Sequence, residues 1–268
     1  MLTLILLTIK DIIKTRFHRR NNLLKTLTAI FVSMFSLCSA QSVSTRTDAG
    51  QTAKKITEEN ISYFVDIIDK RNKSEEQLMY YPDANLKKYP VFQYHAKQDR
   101  ITPLKAGNVI PDEIWDLPIR IVNDIQGRDS VTLRELAGEK ILVLDFWAKW
   151  CSPCLKSMDK WKDLQPKYKD KVQVAGLMLD WDFKAELMIS KMGWNMPQLI
   201  GPEVYLLNYY FCGTPVTGPS VWINKNRFIG LADTRADSEK IINDLSLDLP
   251  PSFSESPSGK QKKRKESL

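Results

Sequence analysis

The chain has 268 residues, with 39 Lys and Arg against 32 Asp and Glu and a formal net charge of +7. That length holds one ordinary domain with extensions or two small domains. Hydrophobic residues make up 43% and charged residues 26%, which supports a packed core and excludes wholesale disorder, while four cysteines are too few for a disulfide-rich scaffold.

The excess charge sits at the two ends. Residues 1–40 carry six basic groups and one acid, and residues 260–268 carry five basic groups and one acid, so 41–259 is net −2. A basic nucleic-acid-binding body is therefore excluded. Arg19, Arg20 and Lys25 precede an apolar run from Thr26 to Leu37, followed by Cys38-Ser39-Ala40. A positive flank, a short apolar run and a small residue before a cut are the parts of a secretory signal peptide. The expectation is a signal over 1–40, either cleaved after Ala40 or retained as an anchor. Export places the cysteines in an oxidising compartment.

Residues 41–103 read as an N-terminal extension, partly helical. Ile61, Phe64, Val65 and Ile68 fall at helical spacing, which predicts an amphipathic helix over Ile56–Arg71. The stretch to about Arg100 reads as irregular, and the lone His95 as a surface or packing residue. Then Ile119–Val122 reads as an edge strand, Leu133–Ala137 as a short helix, and Ile141–Leu144 as a strand buried on both faces. A helix is predicted from Cys154 to about Tyr168, a buried strand over Val172–Leu179, and helices over Phe183–Met192 and Val204–Phe211. Ser220–Asn224 and Arg227–Leu231 form a hairpin about Lys225-Asn226, and Ser238–Leu247 is a last helix capped by Ser238 or Asp237. Strands alternating with helices, then a hairpin and a helix, give an α/β fold with a mixed central sheet flanked by helices. A basic tail over 250–268, rich in Pro, Ser and Lys, is expected to be disordered.

The chemistry lies in Trp150-Cys151-Ser152-Pro153-Cys154, directly after a buried strand and opening a helix. At the first turn of a helix the unpaired N–H groups and the positive dipole end favour thiolate over thiol, which makes Cys151 a nucleophile. Two intervening residues put Cys154 one turn on, where it can resolve a mixed disulfide. Pro153 at the first turn removes only a donor with no helical partner. Zinc would need two more ligands, and neither Cys212 nor His95 stands in a paired spacing, so no metal and no cofactor is expected. Cys212 reads as a buried, inert thiol, with a regulatory or intermolecular disulfide as the alternative.

The segment from Asp145 to Cys154 resembles the active-site segment of the thioredoxin superfamily. Leu136-Ala137-Gly138-Glu139-Lys140 and Val174–Asp180 are similar to the TlpA/ResA-like branch of exported thiol-disulfide oxidoreductases. The resemblance covers about 104–248, with 104–249 taken as the domain, and implies a thioredoxin-like fold and a redox-active Cys151–Cys154 pair. It also implies a cis-proline facing the disulfide; the strand and turn that follow pick Pro219 over Pro215, with Gly218 before it and Trp150 beside it on the substrate surface. In thioredoxins the residue matching Asp145 moves a proton for the second cysteine. Two positions depart from the pattern: Gly176 stands where the family has a lysine partner for that carboxylate, and Asp159 where relatives have a kinking proline.

The resemblance implies a disulfide reductase acting on proteins, reset by a membrane-bound redox partner in the periplasm or cell envelope of a Gram-negative bacterium. The alternatives are a thiol oxidant or isomerase, and a non-catalytic adaptor on the same scaffold. A peroxiredoxin is set aside because its Thr three residues before the reactive cysteine is Ala148 here, and its upstream Pro is Leu144.

Overall fold

The computed structural model describes residues 55–251 and Phe253; the signal peptide expected over 1–40 and nearly all of the basic tail lie outside the described residues. Seven strands form the main sheet: β3 (Ile119–Ile121), β4 (Ser130–Val131), β5 (Ile141–Trp147), β6 (Val172–Met178), β7 (Gln198–Ile200), β8 (Ser220–Asn224) and β9 (Arg227–Ala232). Their order is β4-β3-β7-β6-β5-β8-β9. The β5–β6 and β6–β7 pairs are parallel, and the outer pairs are antiparallel. β5 lies inside the sheet between β6 and β8 and is buried at every position, which is why it reads as a continuous apolar run.

Side chains on a strand alternate between faces. Leu142, Leu144 and Phe146 enter one core with α4 (Leu133–Ala137) and α7 (Pro202–Cys212). Ile141, Val143 and Trp147 enter the other, with α5 (Ser152–Leu164), α6 (Phe183–Met192) and α8 (Ser238–Ser246). Asp145 shares the parity of this second set, so the alternation aims its carboxyl at the face covered by α5.

Local chemistry sets several boundaries. Thr132 and Glu135 form a reciprocal capping box at the start of α4. Asp237 caps α8 by accepting from Lys240 N at 3.0 Å. Lys225 and Asn226 both take positive φ, the conformation that a two-residue hairpin turn requires.

The extension departs from its expected form. The helix over Ile56–Arg71 is cut short: α1 covers only Ile61–Phe64, and the chain continues as β1 (Val65–Asp69). β1 pairs antiparallel with β2 (Phe92–Ala96), from Val65↔Ala96 to Asp69↔Phe92. A partner strand and its ladder of hydrogen bonds outweigh a short run of helical periodicity. Ile61, Phe64 and Val65 are still the buried positions, because they face α7. That helix is buried along nearly all its length, the mark of a helix covered on both sides. The sheet covers one side, and the extension, with Tyr94 packed edge-on to Tyr205 at 5.4 Å, covers the other. β7 also escapes sequence reading, being three residues long; it lies between β6 and β3.

Candidate active site

Cys151 and Cys154 are joined in a disulfide, with Cα atoms 5.3 Å apart. Cys151 occupies the N-cap of α5, where its Sγ accepts from Cys154 N at 3.3 Å. It is partly exposed, whereas Cys154 is fully buried. One sulfur is open to attack and the other is sheltered. The helix then runs unbroken through Asp159 to Leu164. Asp159 is held by Trp194 Nε1 at 2.9 Å, so the position where relatives kink the helix here ties it to the loop after α6 (Phe183–Met192).

The disulfide opens on a cleft of about 840 Å³, walled by the first turns of α5, the loop from Thr214 to Pro219 and the turn after β9. Gly218 and Pro219, expected on the substrate surface, both line it. The expected cis bond is absent: there is no cis peptide among the described residues. Gly218 takes φ +106°, open to a residue without Cβ, and donates to Phe146 O at 2.9 Å. That turn brings the chain into β8 (Ser220–Asn224) with Pro219 in trans. Trp150 is 69% exposed beside the disulfide. Trp147 is fully buried, donating Nε1 to Gln198 Oε1 at 2.9 Å and lying edge-on to Trp194.

Asp145 is fully buried on β5 between Gly176 on one neighbouring strand and Ser220 on the other. Its Oδ2 accepts from Ser157 Oγ at 2.6 Å and from Trp161 Nε1 at 2.8 Å, and its Oδ1 has no partner. Burial pushes its pKa up to about 6, against the pull of those two hydrogen bonds and the Lys160 charge. Gly176 places no cation beside Asp145, and a Cβ there would lie 2.3 Å from Gln198 Oε1, so a larger residue would need the Gln198 side chain to move. The Gln198 amide fills that space and serves Trp147. The nearest cation comes instead from α5: Lys160, whose Nζ donates to Ser238 Oγ at 3.0 Å. Ser157 and Trp161 follow Cys154 at helical spacings of three and seven, which marks one face of α5.

Cys212, read from the sequence as a buried and inert thiol, also stands at this site, with two residues that no sequence signal marked, Asn208 and Tyr81. Cys212 is free, but it lines the same cleft as the disulfide; burial pushes its thiol up to about 12, so it is protonated at neutral pH and a poor nucleophile. Asn208 clamps the cleft loop with both ends of its amide, Nδ2 to Val216 O at 2.8 Å and Oδ1 from Val216 N at 3.1 Å. Tyr81 of the extension accepts from Lys149 Nζ at 2.8 Å, which ties the extension to the loop that carries Trp150. Among the described residues no cluster of His, Cys, Asp and Glu could hold a metal, and no helix is long and apolar enough to cross a membrane.

Residues 110–225 match the family model described as AhpC/TSA. Over 100 residues the chain is 38% identical to the thiol-disulfide oxidoreductase ResA of Bacillus cereus, a match covering 37% of this chain and 57% of that protein. The chain thus spans little more than half the length of the curated relatives it matches. Among solved structures it is similar to the thioredoxin domain of a thiol-disulfide oxidoreductase from Bacteroides vulgatus (16% identity, 55% of this chain and 99% of that one, TM-score 0.41). It is also similar to a peroxiredoxin Q mutant of Xylella fastidiosa (16% identity, 55% and 98%, TM-score 0.45). The strand–disulfide–helix arrangement about β5 gives residues 110–225 a thioredoxin-like fold, and in sequence they are similar to proteins named thiol-disulfide oxidoreductase ResA.

Proposed function

We propose that the protein is a thiol-disulfide oxidoreductase that reduces protein disulfides. The observation that carries this reading is the asymmetry of the pair: Cys151 open to the cleft at a helix N-terminus, Cys154 buried behind it. In the reduced enzyme the Cys151 thiolate attacks one client sulfur, and the client's S–S bond breaks as the Cys151–client bond forms. The departing client sulfur leaves as a thiolate. Cys154 then gives its proton to the Asp145 carboxylate, and its sulfur attacks Cys151. The Cys151–Cys154 bond forms, the mixed disulfide breaks, and the second client sulfur leaves. The client has gained two electrons and the enzyme has lost two.

Trp150, Gly218 and Pro219 form the surface that receives the client chain. The pair is reset by a redox partner, in this reading membrane-bound, and the protein works in the bacterial cell envelope, exported by residues 1–40. The similarity to proteins named thiol-disulfide oxidoreductase supports the chemistry. Location and reducing direction rest on the signal-like N-terminus and on the resemblance to the TlpA/ResA-like branch.

Insulin reduction in dithiothreitol tests the activity. The wild type accelerates precipitation of the B chain, and Cys151→Ser does not. A wild-type protein with no acceleration would overturn the reading. Direction follows from the reduction potential of the pair: a value near about −270 mV, as in thioredoxin, marks a reductant, and one near about −120 mV marks an oxidant.

A further inference from the structure

A buried carboxyl that gives and takes a proton in each cycle needs a route to water. Asp145 has no exposed surface. The strands on either side present Gly176 and Ser220; the first has no side chain, and the hydroxyl of the second accepts from Trp222 Nε1 at 3.0 Å and donates to Ala232 O at 3.5 Å. From α5 (Ser152–Leu164), Trp161 Nε1 is a donor that can accept nothing. The Lys160 ammonium acts on Asp145 through its charge, but its donors go to Ser238 Oγ and to the carbonyls of Thr234 and Ala236. Cys154 is as buried as the carboxyl. Ser157 differs from all of these: its hydroxyl lies 2.6 Å from Asp145 Oδ2, and the residue, itself only 4% exposed, lines the cleft onto which the disulfide opens. A hydroxyl donates one proton and accepts through two lone pairs, so it can pass a proton in either direction.

We infer that Ser157 is the proton relay between the cleft and Asp145. The inference rests on the oxidoreductase reading above and adds the path by which that chemistry is coupled to solvent. When a thiolate attacks Cys151 in the disulfide, the Cys151–Cys154 bond breaks and Cys154 leaves with the electron pair. It takes the proton of the Asp145 carboxylic acid. Ser157 then gives its hydroxyl proton to the carboxylate and takes one from cleft water, which restores both groups. In the opposite direction Cys154 gives its proton to Asp145, the acid passes it to Ser157 Oγ, and the Ser157 hydroxyl proton goes to the cleft. In this scheme Ser157 acts through Asp145.

The test is the rate at which dithiothreitol reduces the protein's own disulfide, followed by Trp fluorescence across pH. This reaction needs no client. Ser157→Ala slows it roughly tenfold at neutral pH, and Ser157→Thr, which keeps the hydroxyl, stays within about twofold of wild type. Loss of a hydrogen bond to the carboxylate also moves the Asp145-dependent limb of the pH profile upward. In an Asp145→Asn background Ser157→Ala has no further effect, since a relay with nothing to serve is silent. If Ser157→Ala is poorly folded, Ser157→Thr against Ser157→Val, nearly the same shape without the hydroxyl, gives the same comparison. Unchanged rate and profile in Ser157→Ala, equal loss in the Thr and Val variants, or full additivity with Asp145→Asn would overturn the relay. Failure of the wild type to reduce insulin would refute the oxidoreductase reading, while the relay is still judged by these rates.

Discussion

Two buried aspartates divide the labour of this fold. Asp182, just before α6 (Phe183–Met192), accepts on Oδ2 from Tyr94 Oη at 2.8 Å and Arg120 Nη2 at 2.7 Å, and on Oδ1 from Gly201 N at 3.2 Å. Asp145 is buried as deeply but holds two neutral donors on one oxygen and nothing on the other. Burial raises the pKa of both. The difference lies in satisfaction. With both oxygens bonded and a guanidinium at hand, Asp182 is a structural clasp joining the extension, the sheet and α7 (Pro202–Cys212). With one oxygen free and no ion pair, Asp145 is poised to change protonation. An orphaned buried oxygen is usually a defect; here it is what sets Asp145 apart from the fully bonded Asp182.

That contrast can be broken from either side. The largest effect is expected at the sulfur that opens the cycle: Cys151→Ser loses insulin reduction to the uncatalysed background, while its circular dichroism is that of the wild type. Next, Asp145→Asn slows turnover by roughly 10- to 100-fold, the scale of a lost acid–base group, and at the same time stabilises the fold. The folded state holds the Asp145 proton up to about pH 6, against an ordinary value of 3.8. Between these values unfolding releases a proton, so the folded state loses stability as pH rises through the window. Below it the wild type and the Asp145→Asn variant behave alike; above it the variant gains about 2–3 kcal/mol. Urea denaturation on the acid side of that window and at neutral pH checks both arms, and equal stability at neutral pH would contradict the burial account.

At Asp182 the signs reverse. Asp182→Asn leaves Arg120, whose side chain is 42% exposed, without its anion, and about 2–3 kcal/mol of stability is lost, less than for a fully sealed pair. Insulin reduction per folded molecule is unchanged. The smallest effect is expected for Tyr94→Phe, which removes one donor to Asp182 and lowers the stability measured in urea by about 1 kcal/mol. A drop in turnover in either variant, with folding intact, would show that the clasp does more than hold the extension in place.

Much of this is legible in the sequence. The Cys-Ser-Pro-Cys segment, the helix it opens, the buried strand before it, the hairpin about Lys225-Asn226 and the helix over Phe183–Met192 all carry local signatures: a run of β-type residues, a proline at a helix start, residues tolerant of positive φ. Asp145 is also marked, through the resemblance of its segment to the thioredoxin superfamily. The helix expected over Ile56–Arg71 failed because the deciding partner, β2 (Phe92–Ala96), lies far along the chain. Hydrogen bonding to it makes a strand of residues whose local spacing suits a helix equally well. β7 (Gln198–Ile200) failed for want of length, since three residues show no period.

Local sequence, then, determined the nucleophile, its helix, the central strand and the buried carboxylate, because each depends on neighbours within a few residues. Tertiary structure alone decided what surrounds them. The Gln198 side chain takes the space left by the missing side chain of Gly176; Cys212 lines the disulfide's cleft; Ser157 bonds the carboxyl and lines that cleft. Each of these is a contact between elements that the sheet order brings together, and no period or motif along the chain records which strand will lie beside which.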